Sequence, residues 1–262
     1  PSQISTSHEP SEKYRVQILE RAMEVLLSFT PTAPRMSLDE LATRTGINKT
    51  TLLRIVSTLV ATDFLIRREN TYSLGSNVLR LSNTYLSTLS LSNITDRPME
   101  RLANRFGQTV SLAVLDGADA VIVAFENSQM ELGVQTELGS RQPVHATAVG
   151  KVLLSGLDTG AARTLLSSGE LKKLTPHTLV TVDGVLASVE LAKREGYATA
   201  NEERGLGIRS VAAPIMDKDG RVVAAMGISG PTFYMREDFT EAIVRALLEE
   251  ARMINVQMGW GE

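Results

Sequence analysis

A chain of 262 residues, 43% hydrophobic and with a net charge of −3, is long enough for two domains of ordinary size and has the balance of a globular protein. It contains no cysteine, which excludes disulfides, thiolate metal sites and a cysteine nucleophile, and its three histidines (His8, His145 and His177) have no zinc-site spacing. No run reaches the roughly 18 apolar residues of a membrane helix, and the N-terminus has no apolar signal-peptide core, so a cytoplasmic protein is expected.

Residues 1–12 are polar and contain Pro1, Pro10 and several serines, which predicts a disordered arm. From there the charge divides unevenly. Residues 13–75 carry nine Lys+Arg against six Asp+Glu, and residues 76–262 carry 18 against 22. A mildly basic N-terminal module on an acidic remainder fits a DNA reader joined to a domain that does not touch DNA.

Residues 13–29 read as a helix, because Val16, Leu19, Ala22, Met23, Leu26 and Leu27 recur at helical spacing. That stripe is expected to pack on the two helices that follow. Pro31 and Pro34 end the run. The second helix opens on Ser37-x-x-Glu40, a capping box. Gly46 supplies a tight turn, Ile47 plugs it, and Asn48 caps a third helix whose Leu52, Ile55, Val56 and Leu59 face inward. Thr50, Arg54 and Ser57 then share an exposed face, with Lys49 and Thr51 on the first turn. Short hydroxyls and an arginine on an exposed helix start suit phosphate and base-edge contacts.

Phe64–Ile66 and Tyr72–Leu74 are expected to pair as a hairpin, with Arg67-Arg68-Glu69-Asn70 as a polar tip able to lie on a phosphate backbone. Together, residues 13–75 read as a winged helix-turn-helix, mostly α with a small β wing. The candidate DNA-binding residues are Asn48, Lys49, Thr50, Thr51, Arg54, Ser57, Arg67 and Arg68.

Residues 76–96 read as a linker helix with Val78, Leu79, Leu81, Tyr85, Leu86 and Leu89 among Ser, Asn and Thr, suited to pairing with its twin in a dimer. A further helix runs to Phe106, with Pro98 in its first turn or at a kink, and Gly107 ends it. Residues 97–262 alternate strands and helices. Strands are expected at Thr109–Leu115, Ala120–Phe125, Leu132–Leu138, Ser210–Met216 and Val222–Ile228, with turns at Asp116-Gly117 and Asp217-Lys218-Asp219-Gly220. Helices are expected at Ala148–Leu157, Gly160–Ser167, Val182–Glu195 and from Phe239 to about Met258. Antiparallel hairpins with interspersed helices predict an α+β domain around one sheet.

Several strings imitate catalytic motifs and fail. Gly150-Lys151 lacks the first glycine and the hydroxyl of a phosphate loop. Ser229 lacks the second glycine of a nucleophile elbow. Gly205-Leu206-Gly207 lacks the third glycine of a dinucleotide site. Glu202-Glu203 reads as a solvated pair, and His145 as a structural or ligand-contacting histidine. No catalytic residue, metal ligand or cofactor is expected. The small-residue segments 139–150 and 205–210 instead suit close approach to a small molecule.

His145-Ala146-Thr147-Ala148-Val149-Gly150-Lys151-Val152-Leu153-Leu154, then Gly196-Tyr197-Ala198 with Glu202-Glu203 and Gly207-Ile208-Arg209-Ser210-Val211-Ala212-Ala213-Pro214, then Ala224-Ala225-Met226-Gly227-Ile228-Ser229-Gly230-Pro231 follow one another in order. With Gln17-Ile18-Leu19-Glu20-Arg21-Ala22 and Thr50-Thr51-Leu52-Leu53-Arg54, the chain resembles the IclR family of bacterial transcriptional regulators over residues 14–258. The resemblance implies a dimer, or a dimer of dimers, on palindromic operator DNA. It also implies a GAF-like C-terminal domain that binds a small metabolite, often an organic or aromatic acid.

Carried over, the effector-binding residues are Val134, Ala148, Val149, Ser210 and Ser229. Ala200 and Gly227 stand where small-acid binders of the family have an acid and a serine. These two departures are expected to enlarge the pocket and make it more apolar, for a bulkier effector tied to a catabolic operon. Family frequency favours a repressor; a ligand-responsive activator is the alternative. A winged regulator of another family, and an enzyme or assembly protein with a vestigial winged domain, are the rivals.

Overall fold

In the computed structural model residues 15–88 and 91–261 are described, with only the backbone at Ser92, Asn93, Glu237 and Asp238; the expected arm at residues 1–12 lies outside them. The chain divides into two compact units, Pro1–Ser90 and Leu91–Glu262.

The first unit runs α1 (Gln17–Leu27), β1 (Met36–Ser37), α2 (Leu38–Thr45), α3 (Lys49–Ala61), β2 (Leu65–Arg68), β3 (Thr71–Leu74) and α4 (Ser76–Thr88). Its core gathers Val25, Phe29, Met36, Leu41, Ile47, Leu52, Ile55, Val56, Leu59, Leu65 and Tyr72. The capping box at α2 is formed: Glu40 N–H donates to Ser37 Oγ at 3.3 Å and Ser37 N–H to Glu40 Oε2 at 2.7 Å. Gly46 ends α2 at φ 67, a left-handed turn that favours glycine. β1 was not expected. It pairs Met36 with Tyr72 and Ser37 with Thr71, making a three-stranded sheet in the order β1-β3-β2.

Two expectations are corrected here. The apolar stripe assigned to the core from α1 faces out: Leu19 is 59% and Leu27 81% exposed, and Val16 and Met23 are also exposed. The helix packs inward through Val25, with Ala22 and Leu26 half-buried against the same core. Periodicity finds a stripe but does not say which of two stripes is buried. In the wing, Arg67 and Arg68 are strand residues, paired with Tyr72 and Thr71, and the turn is Glu69-Asn70. Successive strand residues point to opposite faces, so the two arginines diverge.

α4 buries none of its residues and leaves Leu79, Leu81 and Tyr85 exposed. It stops at Thr88, and α5 (Ser92–Phe106) belongs to the second unit, where Leu91, Met99, Leu102, Ala103 and Phe106 are buried. The helical segment thus parts earlier than the boundary expected at residue 97, because apolar burial begins at Leu91. Pro98 lies inside α5 rather than in its first turn, and Gly107 ends the helix.

The second unit continues with β4 (Thr109–Asp116), β5 (Asp119–Glu126), β6 (Arg141–Pro143), a short 3₁₀ turn (Val144–Ala146), α6 (Ala148–Ser155), α7 (Thr159–Ser167), α8 (Val182–Glu195), β7 (Ala198–Asn201), β8 (Ile208–Met216), β9 (Val222–Pro231) and α9 (Glu237–Gln257). Its six strands form one antiparallel sheet in the order β6-β5-β4-β9-β8-β7. Ala113, Ala212 and Ala225 of the sheet pack with α6, α7 and α8 through Val149, Val152, Leu153, Leu166, Val185 and Val189. α5 and α9 pack on each other and on sheet strands, joined by a two-pronged Arg101–Glu250 contact at 2.8 and 2.6 Å.

The expected strand at Leu132–Leu138 is absent. Its Val134 carbonyl accepts from the Thr109 hydroxyl at 2.5 Å, so a side chain serves that carbonyl rather than a neighbouring strand. β7, four residues long and at the sheet edge, was not expected.

Candidate functional site

Two regions carry the residues singled out in the sequence. The first is the outer face of α3. Asn48 caps the helix, its Oδ1 accepting from Thr51 N–H at 2.9 Å. The inward side chains Leu52, Ile55, Val56 and Leu59 are buried, which fixes the helix rotation and leaves Lys49, Thr50, Arg54 and Ser57 exposed. Thr51 is half-buried. Lys49 Nζ lies 2.9 Å from Asp39 Oδ1 of α2, both side chains well exposed, a pair that a phosphate can displace at little cost. In the wing, Arg67 donates to Glu69 O at 3.2 Å and its guanidinium stands 6.0 Å from the Tyr72 ring centre. Arg68 is exposed and has no such anchor among the described residues.

The second region is a cavity of about 60 Å³ in the C-terminal unit. Strand register builds its floor. One row across the sheet reads Thr109, Ser229, Ser210, Ala200, and the next reads Ser111, Gly227, Ala212, Ala198. The start of α6 forms another wall. Thr147 caps that helix, its Oγ1 accepting from Gly150 N–H at 3.1 Å. The Ala148 and Val149 N–H groups are left with no acceptor inside the helix. Any Cβ on Gly150 would lie 2.3 Å from the Val144 carbonyl oxygen, so only glycine lets the 3₁₀ turn approach α6 this closely. All seven expected residues, Val134, Ala148, Val149, Ala200, Ser210, Gly227 and Ser229, line this one cavity.

The expected enlargement is corrected. A Cβ at Gly227 would lie 2.7 Å from Val149 Cγ1, so the valine fills the space a serine would take. Ser111, Thr136, Gln142, Thr147, Glu203 and Arg204 join Ser210 and Ser229 in walls whose surface is otherwise mostly apolar. These were missed because they come from separate stretches of the chain. Thr109 was missed too: it holds Val134 in place and accepts from Ser128 N–H at 3.0 Å.

Glu202 and Glu203 are not a solvated pair. Lys151 Nζ sits 2.6 Å from Glu203 Oε1, with the side chains 4% and 11% exposed. Lys151 also donates to Thr199 O at 3.0 Å. Glu203 Oε2 is buried without a hydrogen-bond partner. Glu202 is half-buried and accepts from Gly207 N–H at 2.6 Å. His145 is buried with Nε2 3.1 Å from the Lys172 carbonyl and does not line the cavity. Among the described residues no three potential ligands gather into a metal site, and no helix is long and apolar enough to cross a membrane.

Comparison with known proteins agrees with this layout. The IclR helix-turn-helix domain matches residues 18–69, and the bacterial transcriptional regulator IclR C-terminal domain matches residues 83–256. The transcriptional regulator KdgR of Dickeya chrysanthemi is 31% identical over 86% of this chain and 74% of its own length. The repressor AllR of Salmonella typhi is 28% identical over 96% of this chain and 93% of its own. Among solved structures, Thermotoga maritima IclR superposes with a TM-score of 0.79 at 25% identity, covering 93% of this chain and 99% of that one. An IclR homologue from Microbacterium hydrocarbonoxydans, complexed with 4-hydroxybenzoate, superposes at 0.82 with 24% identity over 92% and 98%, a likeness of fold. This chain, a winged helix-turn-helix followed by an α+β effector-binding domain, belongs to the IclR family of DNA-binding transcriptional regulators, not to a family of enzymes.

Proposed function

We propose that the chain is a dimeric repressor that reads operator DNA through α3 and the wing and releases it when an organic acid enters the C-terminal cavity. The DNA-contacting residues are Asn48, Lys49, Thr50, Thr51, Arg54 and Ser57 on α3, with Arg67 and Arg68 on the wing. Arg54 reads a base edge, because it stands one turn beyond Thr50 on the exposed face and its guanidinium can span two acceptors of guanine. The functional division is a reader over residues 13–75, a linker helix from residue 76, and an effector and assembly domain beyond it.

The dimer reading is supported by the outward apolar stripe of α1 and by exposed Leu79, Leu81 and Tyr85 on α4. Leu19→Asp with Met23→Asp is expected to yield monomers in sedimentation velocity and to abolish operator binding. A dimer unaffected by both would overturn this interface.

The observation that carries the effector reading is the α6 start. Ala148 and Val149, whose N–H groups have no helical acceptor, line a cavity together with Ser210 and Ser229, whose hydroxyls make no hydrogen bond among the described residues. That combination receives a carboxylate. At about 60 Å³ the cavity fits a compact acid as it stands. An aromatic acid, the expectation from the sequence, requires the walls to open, since a void that takes benzene is about 150 Å³. The 4-hydroxybenzoate complex of the Microbacterium protein keeps the aromatic acid as the second reading.

Thermal unfolding against matched aliphatic and aromatic acids distinguishes them. A ligand at a hundredfold excess over its Kd stabilises by about 2.7 kcal/mol. A shift with compact acids alone supports the first reading, one with aromatic acids the second, and none at all contradicts the effector role. Control of a catabolic operon follows if the binding acid is a growth substrate.

A further inference from the structure

Two charged residues stand among those lining the cavity, Glu203 and Arg204, and they are in opposite situations. Glu203 is compensated by the buried ammonium of Lys151 at 2.6 Å. Arg204 has no ion-pair partner among the described residues, although Glu203 precedes it in sequence. The residue is exposed, yet protein atoms crowd its guanidinium enough that burial pulls its pKa down, with no acidic neighbour to oppose the effect. Lysine, glutamate and arginine together leave the cavity one positive charge. An uncompensated charge drawn part-way out of water is costly, and a counter-charge relieves that cost.

Resting on the effector reading above, we propose that Arg204 is the specificity-determining residue of this cavity and selects a ligand with a single carboxylate. The planar guanidinium meets a carboxylate with two parallel hydrogen bonds. A neutral amide of the same shape cannot replace that contact. A second carboxylate finds no second counter-charge, because Arg204 is the one cation among the residues lining the cavity and Lys151 is already paired with Glu203. The site therefore accepts monocarboxylates, discriminates against their amides, and discriminates against dicarboxylates.

The experiment uses the full-length protein in thermal unfolding and isothermal titration calorimetry. The probes are lactate, benzoate and 4-hydroxybenzoate, each with its primary amide, and succinate as the dianion. At least one monocarboxylate should bind, with its amide and succinate weaker by roughly ten- to a hundredfold. Arg204→Gln should weaken that acid by a similar factor without lowering the unliganded melting temperature, since it removes an uncompensated charge, and Arg204→Lys should restore part of the loss. An amide that binds as tightly as its acid, or an Arg204→Gln variant that binds the acid as wild type does, overturns the role of Arg204 and leaves the effector reading standing. Failure of every acid and amide alike overturns both.

Discussion

The two units use the same device, a capped helix start flanked by hydroxyls and an arginine, in opposite settings. In the winged unit Asn48 caps α3, and Thr50 on the first turn and Arg54 one turn further stand in solvent. In the C-terminal unit Thr147 caps α6, and the first turn with Ala148 and Val149 is buried against the sheet. A convex, exposed site matches a long partner such as DNA; a concave one encloses a small molecule. The difference is energetic as well. Polar groups around α3 are free to be exchanged, whereas those around α6 are part of the core that holds the fold.

Substitutions can break this comparison. The largest effect belongs to the buried pair: Lys151→Ala should cost about 3–5 kcal/mol in denaturant unfolding of the C-terminal unit, because it strands the Glu203 carboxylate. A loss below 1 kcal/mol would show that water reaches the pair. Next comes Arg54→Ala, expected to weaken operator binding by about 1–3 kcal/mol and to relax specificity at one base position. Its unfolding curve should match that of wild type, and coupled losses of stability and binding would erase the distinction between the two sites.

A smaller effect sharpens the wing. Arg67 is held by Glu69 O and Tyr72 while Arg68 has no such contact among the described residues, and the two point to opposite faces. Arg68→Ala should lower the slope of log affinity against log salt by about 1, with Arg67→Ala nearly neutral. Equal effects would mean that the hairpin turns over on DNA.

The smallest concerns the α2 cap. Ser37→Ala should cost about 1 kcal/mol in the winged unit. The hydrogen bonds from the Ser37 backbone and hydroxyl hold the Glu40 carboxyl below the usual carboxylate range. A carboxyl with a depressed folded pKa contributes stability above its unfolded pKa and loses it as pH falls through the folded one. Glu40→Gln should therefore remove that small contribution at neutral pH, flatten the acid side of the stability profile and converge with wild type at low pH.

The winged unit was legible because its signals are local. The Ser37–Glu40 box, Gly46 and Asn48 each act within four residues, and the α3 periodicity had one apolar stripe to choose. α8 was equally clear between its Thr181 cap and Gly196. α1 was misread because it carries apolar residues on two faces, and periodicity alone does not choose between them. β7 was missed because Ala198 and Ala200 give no β-branched pattern; pairing with β8 creates that strand. Leu132–Leu138 has the apolar content of a strand but gains no ladder.

In the cavity the expected residues came from motif resemblance, and register gathers them. Glu203 and Arg204 were out of reach, since the partner of Glu203 is Lys151 on another element and the character of Arg204 lies in lacking one among the described residues. Gly227 carries the same lesson. An absent side chain does not make a cavity when Val149 grows into the space.

The most direct measurement is fluorescence anisotropy of the full-length protein on its own upstream DNA, with and without the acid that raises its melting temperature. Coupling between sites typically amounts to 1–3 kcal/mol, or roughly 5- to 150-fold in affinity. We expect the acid to weaken operator binding at least fivefold, and Arg204→Gln to need correspondingly more acid for the same release. Operator affinity unchanged at saturating acid would contradict a cavity that controls the DNA-reading face.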